Sequence, residues 1–377
     1  MIYLDYQATT PLAPEARAAM LRWLGGPGEG GYGNPHSPHR MGREAAAAIE
    51  VARGQVQDAL PGANDGQLLF TSGATEAVNW AIKETFARTG RSRPRIVTIA
   101  TEHACVLDTV EALGRWGAEI VVLTVDRDGL VDLDAARAAI DDRTALVAAM
   151  LVNNEIGTIG PIAALGAMAR SVGAAMQCDA VQGFGRIDVP VEACDMIAFS
   201  AHKIHGPKGI GALWIRDGFA PEPLLHGGGQ EGGLRSGTLS PALCAGFGAA
   251  AALVGTRTDA DLAHVARLKQ RLLATLGPGW SVNGSFDHRY PGNLNIRRDG
   301  VDAGRLISEL RDIAFSAGSA CASGSGRPSH VLRAIGLTDA EARSSIRLGF
   351  GRYTSESEID EAAALINAAA VRQLEWA

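Results

Sequence analysis

From residue 66 onward, short apolar runs alternate with amphipathic ones. QLLF, RIVTIA, EIVVLTV, ALVAAMLV, AAMQCDA, MIAFS and GALWIR are of strand length, and several are apolar throughout. A strand with no polar face is buried on both sides, as in a parallel sheet covered by helices. Between these runs the 3.6-residue pattern of helices recurs at 75–87, 104–116, 132–140 and 162–172. This alternation is the βαβ signature and predicts an α/β domain with a mostly parallel central sheet. Two long helical patterns, 241–255 and 258–276, break it. NLNIR, IAFSAGSA, SIRLGF and a final helix near 355–375 follow, which reads as a smaller α+β domain. The expected division is a large domain over 13–257 and a small one over 1–12 and 258–377. Glycine-rich segments at 25–33, 226–237 and 317–326 read as loops.

In open α/β sheets ligands bind beyond the carboxyl ends of the strands, so candidate chemistry is sought there. QLLF is followed by Thr71-Ser72-Gly73-Ala74-Thr75-Glu76 and a helix. Unpaired N–H groups and the helix dipole make this an anion site; a Ser or Thr that merely caps a helix fits equally. RIVTIA leads into Thr101-Glu102-His103, and a lone histidine there is more often packed than catalytic. AAMQC ends on Asp179, with Gln182 beyond it. A carboxylate at the end of an apolar strand needs a cationic partner. A protonated pyridine nitrogen would serve, and so would one of the many arginines. MIAFS runs into Ser200-Ala201-His202-Lys203. A lysine leaving a buried strand is held where burial and neighbouring charge lower its pKa, as imine-forming lysines require. The bland reading is a snorkelling lysine.

Composition narrows the choice. The chain has only four lysines, Lys83, Lys203, Lys208 and Lys269, so any lysine chemistry falls on one of them. Lys208 is second to Lys203, in a Gly-Pro-Lys-Gly turn. The net charge of −6 argues against a nucleic-acid surface. No apolar stretch would span a bilayer, and the N-terminus lacks a signal-peptide pattern. The five cysteines form no CxxC pair, which points to free thiols in a reducing, cytoplasmic setting rather than a disulfide framework or zinc site. Cys321 stands apart. It lies in SAGSACASGSG, where small residues favour an accessible thiol, whereas Cys105, Cys178, Cys194 and Cys244 have apolar or helical surroundings. No GxxxxGK[ST] or GxGxxG follows a strand, so a nucleotide site has no support.

Ordered motifs spread along nearly the whole chain extend these local readings. They include YLDYQATTPL at 3–12, YGNPHSPHRMG at 32–42, FTSGATEAVNWAIK at 70–83, TEHACVLDT at 101–109, VNNEIGTIGPI at 152–162, CDAVQGFG at 178–185, SAHKIHGPKGIGAL at 200–213, HGGGQEGGLRSGT at 226–238, SAGSACASGS at 316–325, PSHVLRAIGL at 328–337 and SSIRLGFGR at 344–352. With them the chain resembles the cysteine desulfurases, fold-type I pyridoxal-phosphate enzymes of the class V aminotransferase group.

The resemblance implies the following roles. Lys203 is the lysine that carries pyridoxal 5'-phosphate. Asp179 pairs with the ring nitrogen, Gln182 holds the ring hydroxyl, and His103 stacks on the ring and acts as an acid–base group. Ala74, Thr75, Ser200 and His202 hold the phosphate. Thr238 reaches the phosphate of a neighbouring subunit, which implies a homodimer. Asn154 touches cofactor and substrate, Arg347 holds the substrate carboxylate, and Asn34 lies nearby. Cys321 accepts sulfur from L-cysteine, releasing alanine, and passes it to an acceptor such as an iron–sulfur scaffold protein. No resident metal is implied; Cys321 would meet an iron–sulfur cluster only in transit.

Two departures bear on partners. The family commonly reads QERGxRSGT, and Gly232 stands here in place of the arginine. The cysteine loop has the longer form of members that serve iron–sulfur scaffolds. The chain is expected to lack the extended C-terminal tail of housekeeping members, which moves the expectation toward the nitrogen-fixation type. Two alternatives are a class V relative acting on selenocysteine, cysteine sulfinate or another amino acid, and an inactive scaffold relative. Cys321 discriminates against the first, and Lys203, Asp179 and His103 against the second.

Overall fold

The structure, a computed structural model, describes residues 1–90, 92–219, 221–318 and 328–375. Its strands are β1 (Ile2–Tyr3), β2 (Gly66–Thr71), β3 (Arg95–Ile99), β4 (Glu119–Leu123), β5 (Thr144–Met150), β6 (Ala175–Asp179), β7 (Met196–Ser200), β8 (Gly211–Arg216), β9 (Ser281–Val282), β10 (Asn293–Arg297), β11 (Ile313–Ala314) and β12 (Ser345–Gly349). The helices are α1 (Pro14–Leu21), α2 (Arg40–Asp58), α3 (Ala74–Thr89), α4 (Ala104–Gly114), α5 (Leu133–Ala139), α6 (Ile162–Val172), α7 (Pro241–Ala252), α8 (Val254–Thr275), α9 (Ala303–Glu309), α10 (His330–Ala334), α11 (Asp339–Arg343) and α12 (Glu356–Glu375).

Seven strands form the central sheet in the order β2-β8-β7-β6-β5-β3-β4. The expectation of a mostly parallel sheet holds, with β8 running antiparallel to both β2 and β7. Because β8 is reversed between them, β2 and β7 point the same way. Six carboxyl ends therefore lie on one rim, joined there by the amino end of β8. Gly211 opens β8 against the turn before α3; a Cβ on it would lie 2.8 Å from the Gly73 Cα, so this close approach requires glycine. Every residue of β5, β6 and β7 is buried, as two-sided hydrophobicity requires, whereas β4, at the edge of the sheet, buries only Leu123 and leaves Val122 exposed.

A three-stranded antiparallel sheet, β12-β10-β9, and the parallel pair β1-β11 complete the strands. Among the described residues of the run IAFSAGSA, Ile313–Ala314 form a strand and Ser316 makes an isolated bridge to Arg347. Helices α1 and α2 were not legible as part of the alternation. They pack on α7, whose Gly248 abuts Ala52 of α2.

One face of the sheet is cemented by aromatic rings. Phe199 of β7 lies 4.3 Å between centroids from Phe184 and 6.2 Å from Phe247 of α7, and all three are buried. Phe199→Ala should cost about 3–5 kcal/mol of stability, measurable as a lower chemical-denaturation midpoint. Phe199→Leu should recover most of that loss.

Candidate active site

The rim of the sheet holds a cavity of about 590 Å³, a size suited to a small cofactor and substrate. Its walls come from the turn after β2 (Ser72, Gly73, Ala74, Thr75), from His103 after β3, from Asn154 after β5, from Asp179 and Gln182 at the end of β6, and from Ser200, His202 and Lys203 after β7. Arg347 of β12 and the N-terminal segment Gln7–Thr9 close it. Candidates far apart in sequence thus share one site because consecutive parallel strands deliver their ends to one rim.

Lys203 occupies a short 3₁₀ turn, Ala201–Lys203, directly after β7. Its amine donates to the carbonyl oxygens of Gln7 and, at 2.9 Å, of Ala8. Burial lowers its pKa to about 7, with Arg186 and Arg347 adding to the effect and Asp5 and Asp179 opposing it. A lysine near pH 7 is partly neutral and therefore nucleophilic. The N-terminal segment braces this turn. Thr10 donates its N–H and hydroxyl to the His202 carbonyl at 3.0 and 2.9 Å, and its hydroxyl oxygen accepts from the His205 N–H at 2.8 Å.

Asp179 is buried, accepts one hydrogen bond from the Val181 N–H at 2.9 Å, and forms no ion pair among the described residues. Burial raises its pKa, with His103 and Lys203 opposing the rise. Such a carboxylate is incomplete without a cation, and a pyridinium meets that need. At the other end, α3 begins without a side-chain cap. The N–H groups of its first turn, at Ala74–Glu76, therefore have no helical partner and line the cavity, as a phosphate requires. Beside them burial lowers the His202 pKa to about 4, with Lys203 and Lys208 adding to it. His202 is neutral at pH 7, and its Nδ1 lies 3.1 Å from the Thr9 hydroxyl. The donor set thus fits pyridoxal phosphate at both ends: an unpaired carboxylate for the ring nitrogen and an uncapped helix for the phosphate.

His103 caps α4, its Nδ1 accepting from the Cys105 N–H at 3.1 Å. That bond leaves Nε2 as the protonated nitrogen of the neutral ring. Gln182 donates to the Gln7 carbonyl at 2.9 Å and accepts from Arg186. Arg347 is 1 % exposed; one arm pairs with Asp5 at 2.8 Å and another donates to the Asn154 carbonyl at 3.0 Å. Its Nε has no partner among the described residues, so donor capacity remains for a substrate carboxylate.

Two candidates are not brought in. Asn34 is exposed and accepts from the His36 N–H at 2.9 Å, outside the walls of its own chain's cavity. Thr238 is exposed and also outside that cavity. The loop before Thr238 is firmly seated. The Glu231 carboxylate accepts from both arms of Arg53, at 2.8 and 2.6 Å, and from the Phe70 N–H at 2.7 Å. Arg235 makes a two-armed pair with Glu76, at 2.7 and 3.0 Å. Gly232 has φ +63, a left-handed backbone that favours glycine over the arginine of the usual motif. Cys321 lies outside the described residues.

Several functional neighbours had no separable signal in the sequence. Glu102 is fully buried and accepts from the Met150 N–H at 2.8 Å. Burial, helped by the charge of Asp179, holds its pKa well above the usual carboxylate range. It takes the place of a further β3 residue in the ladder beside β5. Asp5, Gln7 and Arg186 are the others; of these only Asp5 and Gln7 fall in a quoted motif, and their roles depend on where the N-terminal segment docks. Cys105 is at the cavity wall, but burial pushes its thiol pKa far up. It is inert, as are the buried Cys178, Cys194 and Cys244.

The family model for aminotransferase class V matches residues 2–362. The chain is 46% identical over 366 residues to a mitochondrial cysteine desulfurase of Saccharomyces cerevisiae, covering 95% of this chain and 73% of that protein. It is 44% identical over 375 residues to the cysteine desulfurase IscS of Rickettsia bellii, covering 97% and 90%. A solved NifS-like protein superposes with a TM-score of 0.89 at 30% identity over the full length of both chains. Matched over nearly its whole length and carrying a cavity with both ends of a pyridoxal-phosphate site, the chain belongs to the cysteine desulfurases, pyridoxal-phosphate-dependent enzymes of the class V aminotransferase family.

Proposed function

We propose that this protein removes sulfur from L-cysteine, giving L-alanine, and that Cys321 receives the sulfur as a persulfide for delivery to an acceptor protein such as an iron–sulfur scaffold. The observation that carries the reading is Lys203, a half-buried amine with a pKa near 7 that shares one cavity with Asp179, a carboxylate without an ion pair among the described residues.

Pyridoxal phosphate, when bound, supplies an electron sink for the substrate's Cα. The chain's residues do the rest. Ala74, Thr75, Ser200 and the neutral His202 hold the phosphate, and Asp179 keeps the ring nitrogen positive. Arg347 and Asn154 orient the substrate carboxylate. Lys203, released as a free amine, takes the Cα proton. His103, with Nε2 as its free donor, serves the second proton position. The Cys321 thiolate attacks the substrate sulfur. The sulfur–carbon bond breaks with its electron pair on carbon, which takes a proton to become the methyl group of alanine, and the sulfur remains as Cys321 persulfide. Thr238 is exposed and outside its own cavity, at the end of a loop pinned by Glu231 and Arg235. This supports its serving a neighbouring subunit in a homodimer. Among the described residues no helix is long and apolar enough to cross a membrane. The cytoplasmic location expected from the free thiols is part of the proposal.

Mass spectrometry after incubation with L-cysteine should find one added sulfur on Cys321, removable by reductant. Cys321→Ala should stop catalytic alanine formation while leaving bound cofactor intact. Undiminished alanine release by this variant would overturn the persulfide route.

A further inference from the structure

Arg186 is a charged group beside the lysine turn to which the roles above assign nothing. It follows β6 by one irregular turn and is 9 % exposed, yet it forms no ion pair with a carboxylate among the described residues. A buried, unpaired guanidinium is costly, and arginine stays protonated even where burial lowers its pKa, as it does here. Its bonds reach the catalytic turn, the Gln182 side chain and, at 3.5 Å, the Gln182 and Tyr6 backbone carbonyls. One arm donates to the Gln182 amide oxygen, and the other to the backbone carbonyl of Lys203 at 2.9 Å. The guanidinium sits 5.2 Å from the centroid of the Tyr290 ring, whose face favours a cation.

We propose that Arg186 is a positioning residue for the reacting lysine: its fork fixes the Gln182 amide and the Lys203 turn relative to one another, and it places a permanent positive charge beside the lysine amine. The inference rests on the reading of Lys203 as the reacting amine. By holding the Gln182 oxygen, Arg186 forces the amide to present its NH2, which bonds the Gln7 carbonyl at 2.9 Å and has a second hydrogen for a ring hydroxyl. Gln7 also accepts from Lys203, so Arg186, Gln182, Gln7 and Lys203 form one closed network. Among the charged groups around the Lys203 amine, Arg186 acts most strongly after burial, followed by Arg347. Asp5 and Asp179 act in the opposite sense, and His202 on the same turn is neutral. Tyr290, the ring beside Arg186, has its pKa raised by burial and is uncharged at pH 7.

The test reads Lys203 directly. In the cofactor-stripped enzyme, the rate of acylation of Lys203 by a small amine-reactive reagent is followed against pH by peptide mass spectrometry. The wild-type midpoint should fall near 7. Arg186→Gln and Arg186→Met should move it up by about one unit, the usual effect of removing one nearby charge. Arg186→Lys keeps the charge but not the fork, so its midpoint should stay near wild type while kcat of the reconstituted enzyme falls about tenfold or more. A folded neutral variant with the wild-type midpoint would refute the charge role. Wild-type kcat in Arg186→Lys would refute the positioning role, and that variant settles the point if the neutral ones do not fold. The underlying reading fails separately: it falls if Lys203→Ala still holds pyridoxal phosphate covalently, whatever the midpoints show.

Discussion

Lys203→Ala should give a protein that binds pyridoxal phosphate without a covalent link and turns over L-cysteine about 10³-fold or more slowly. The magnitude follows from what the residue supplies: a covalent anchor and the base for the Cα proton, where a positioned base alone is worth about 10²–10⁴. The fold should survive, because among the described residues the side chain makes two hydrogen bonds, to the Gln7 and Ala8 carbonyls. Removing it deletes a desolvated amine rather than a packed core residue. The checks are the absorbance of the purified protein, retention of cofactor through gel filtration in denaturant, and alanine release. Retained covalent cofactor would move the role to another lysine. Lys208, exposed at the edge of the same cavity, would be the next to examine.

The second large effect is expected from Asp179→Asn, which should split stability from activity. The carboxylate is buried, has no ion-pair partner among the described residues, and has its pKa raised by burial. A carboxyl whose folded pKa is raised stabilises the folded state below its unfolded pKa. That contribution is lost as pH rises through the folded value. Above that folded value the cofactor-free wild type therefore carries an unfavourable buried charge, with the desolvated Glu102 nearby. Asn removes the charge and keeps the shape, so the cofactor-free variant should melt at a higher temperature than the cofactor-free wild type at pH 8. The difference should vanish as pH falls through the folded pKa of Asp179, where the wild type is protonated too. The loaded variant should be slower by about 10²–10³-fold, the usual loss when one preorganised charge or donor is removed from a reacting centre. Unchanged turnover would mean that Asp179 does not hold the ring nitrogen.

These two residues also mark how far the sequence reaches. Lys203 and Asp179 were legible because each ends an apolar run, a place where a charged side chain is costly unless it has work to do. The same pattern revealed β2 to β8, since two-sided hydrophobicity is a local property of each strand. The uncapped start of α3 was legible in part: small residues before a helix suggested an anion site, but only the structure shows that no side chain takes the first-turn N–H groups.

What the sequence by itself determined is the strands of the central sheet, the order of the chemical groups along them, and, through many spaced motifs, the family. Only the tertiary structure decided what surrounds those groups. It reversed β8 within the sheet, which aligns β2 with the parallel strands and brings the turn after β2 into one cavity with Lys203. It wrapped residues 7–13 over the lysine turn, giving Gln7 and Thr10 roles that no periodicity encodes. It placed Asn34 and Thr238 outside their own chain's cavity and set Arg186 under Lys203. The reason is physical. Hydrophobic periodicity reports which face of an element is buried, a property of neighbours three or four positions apart. A shared carbonyl joins groups 196 positions apart in sequence, and a pKa near 7 depends on residues as distant in the chain as Asp5 and Arg347; only packing brings those together.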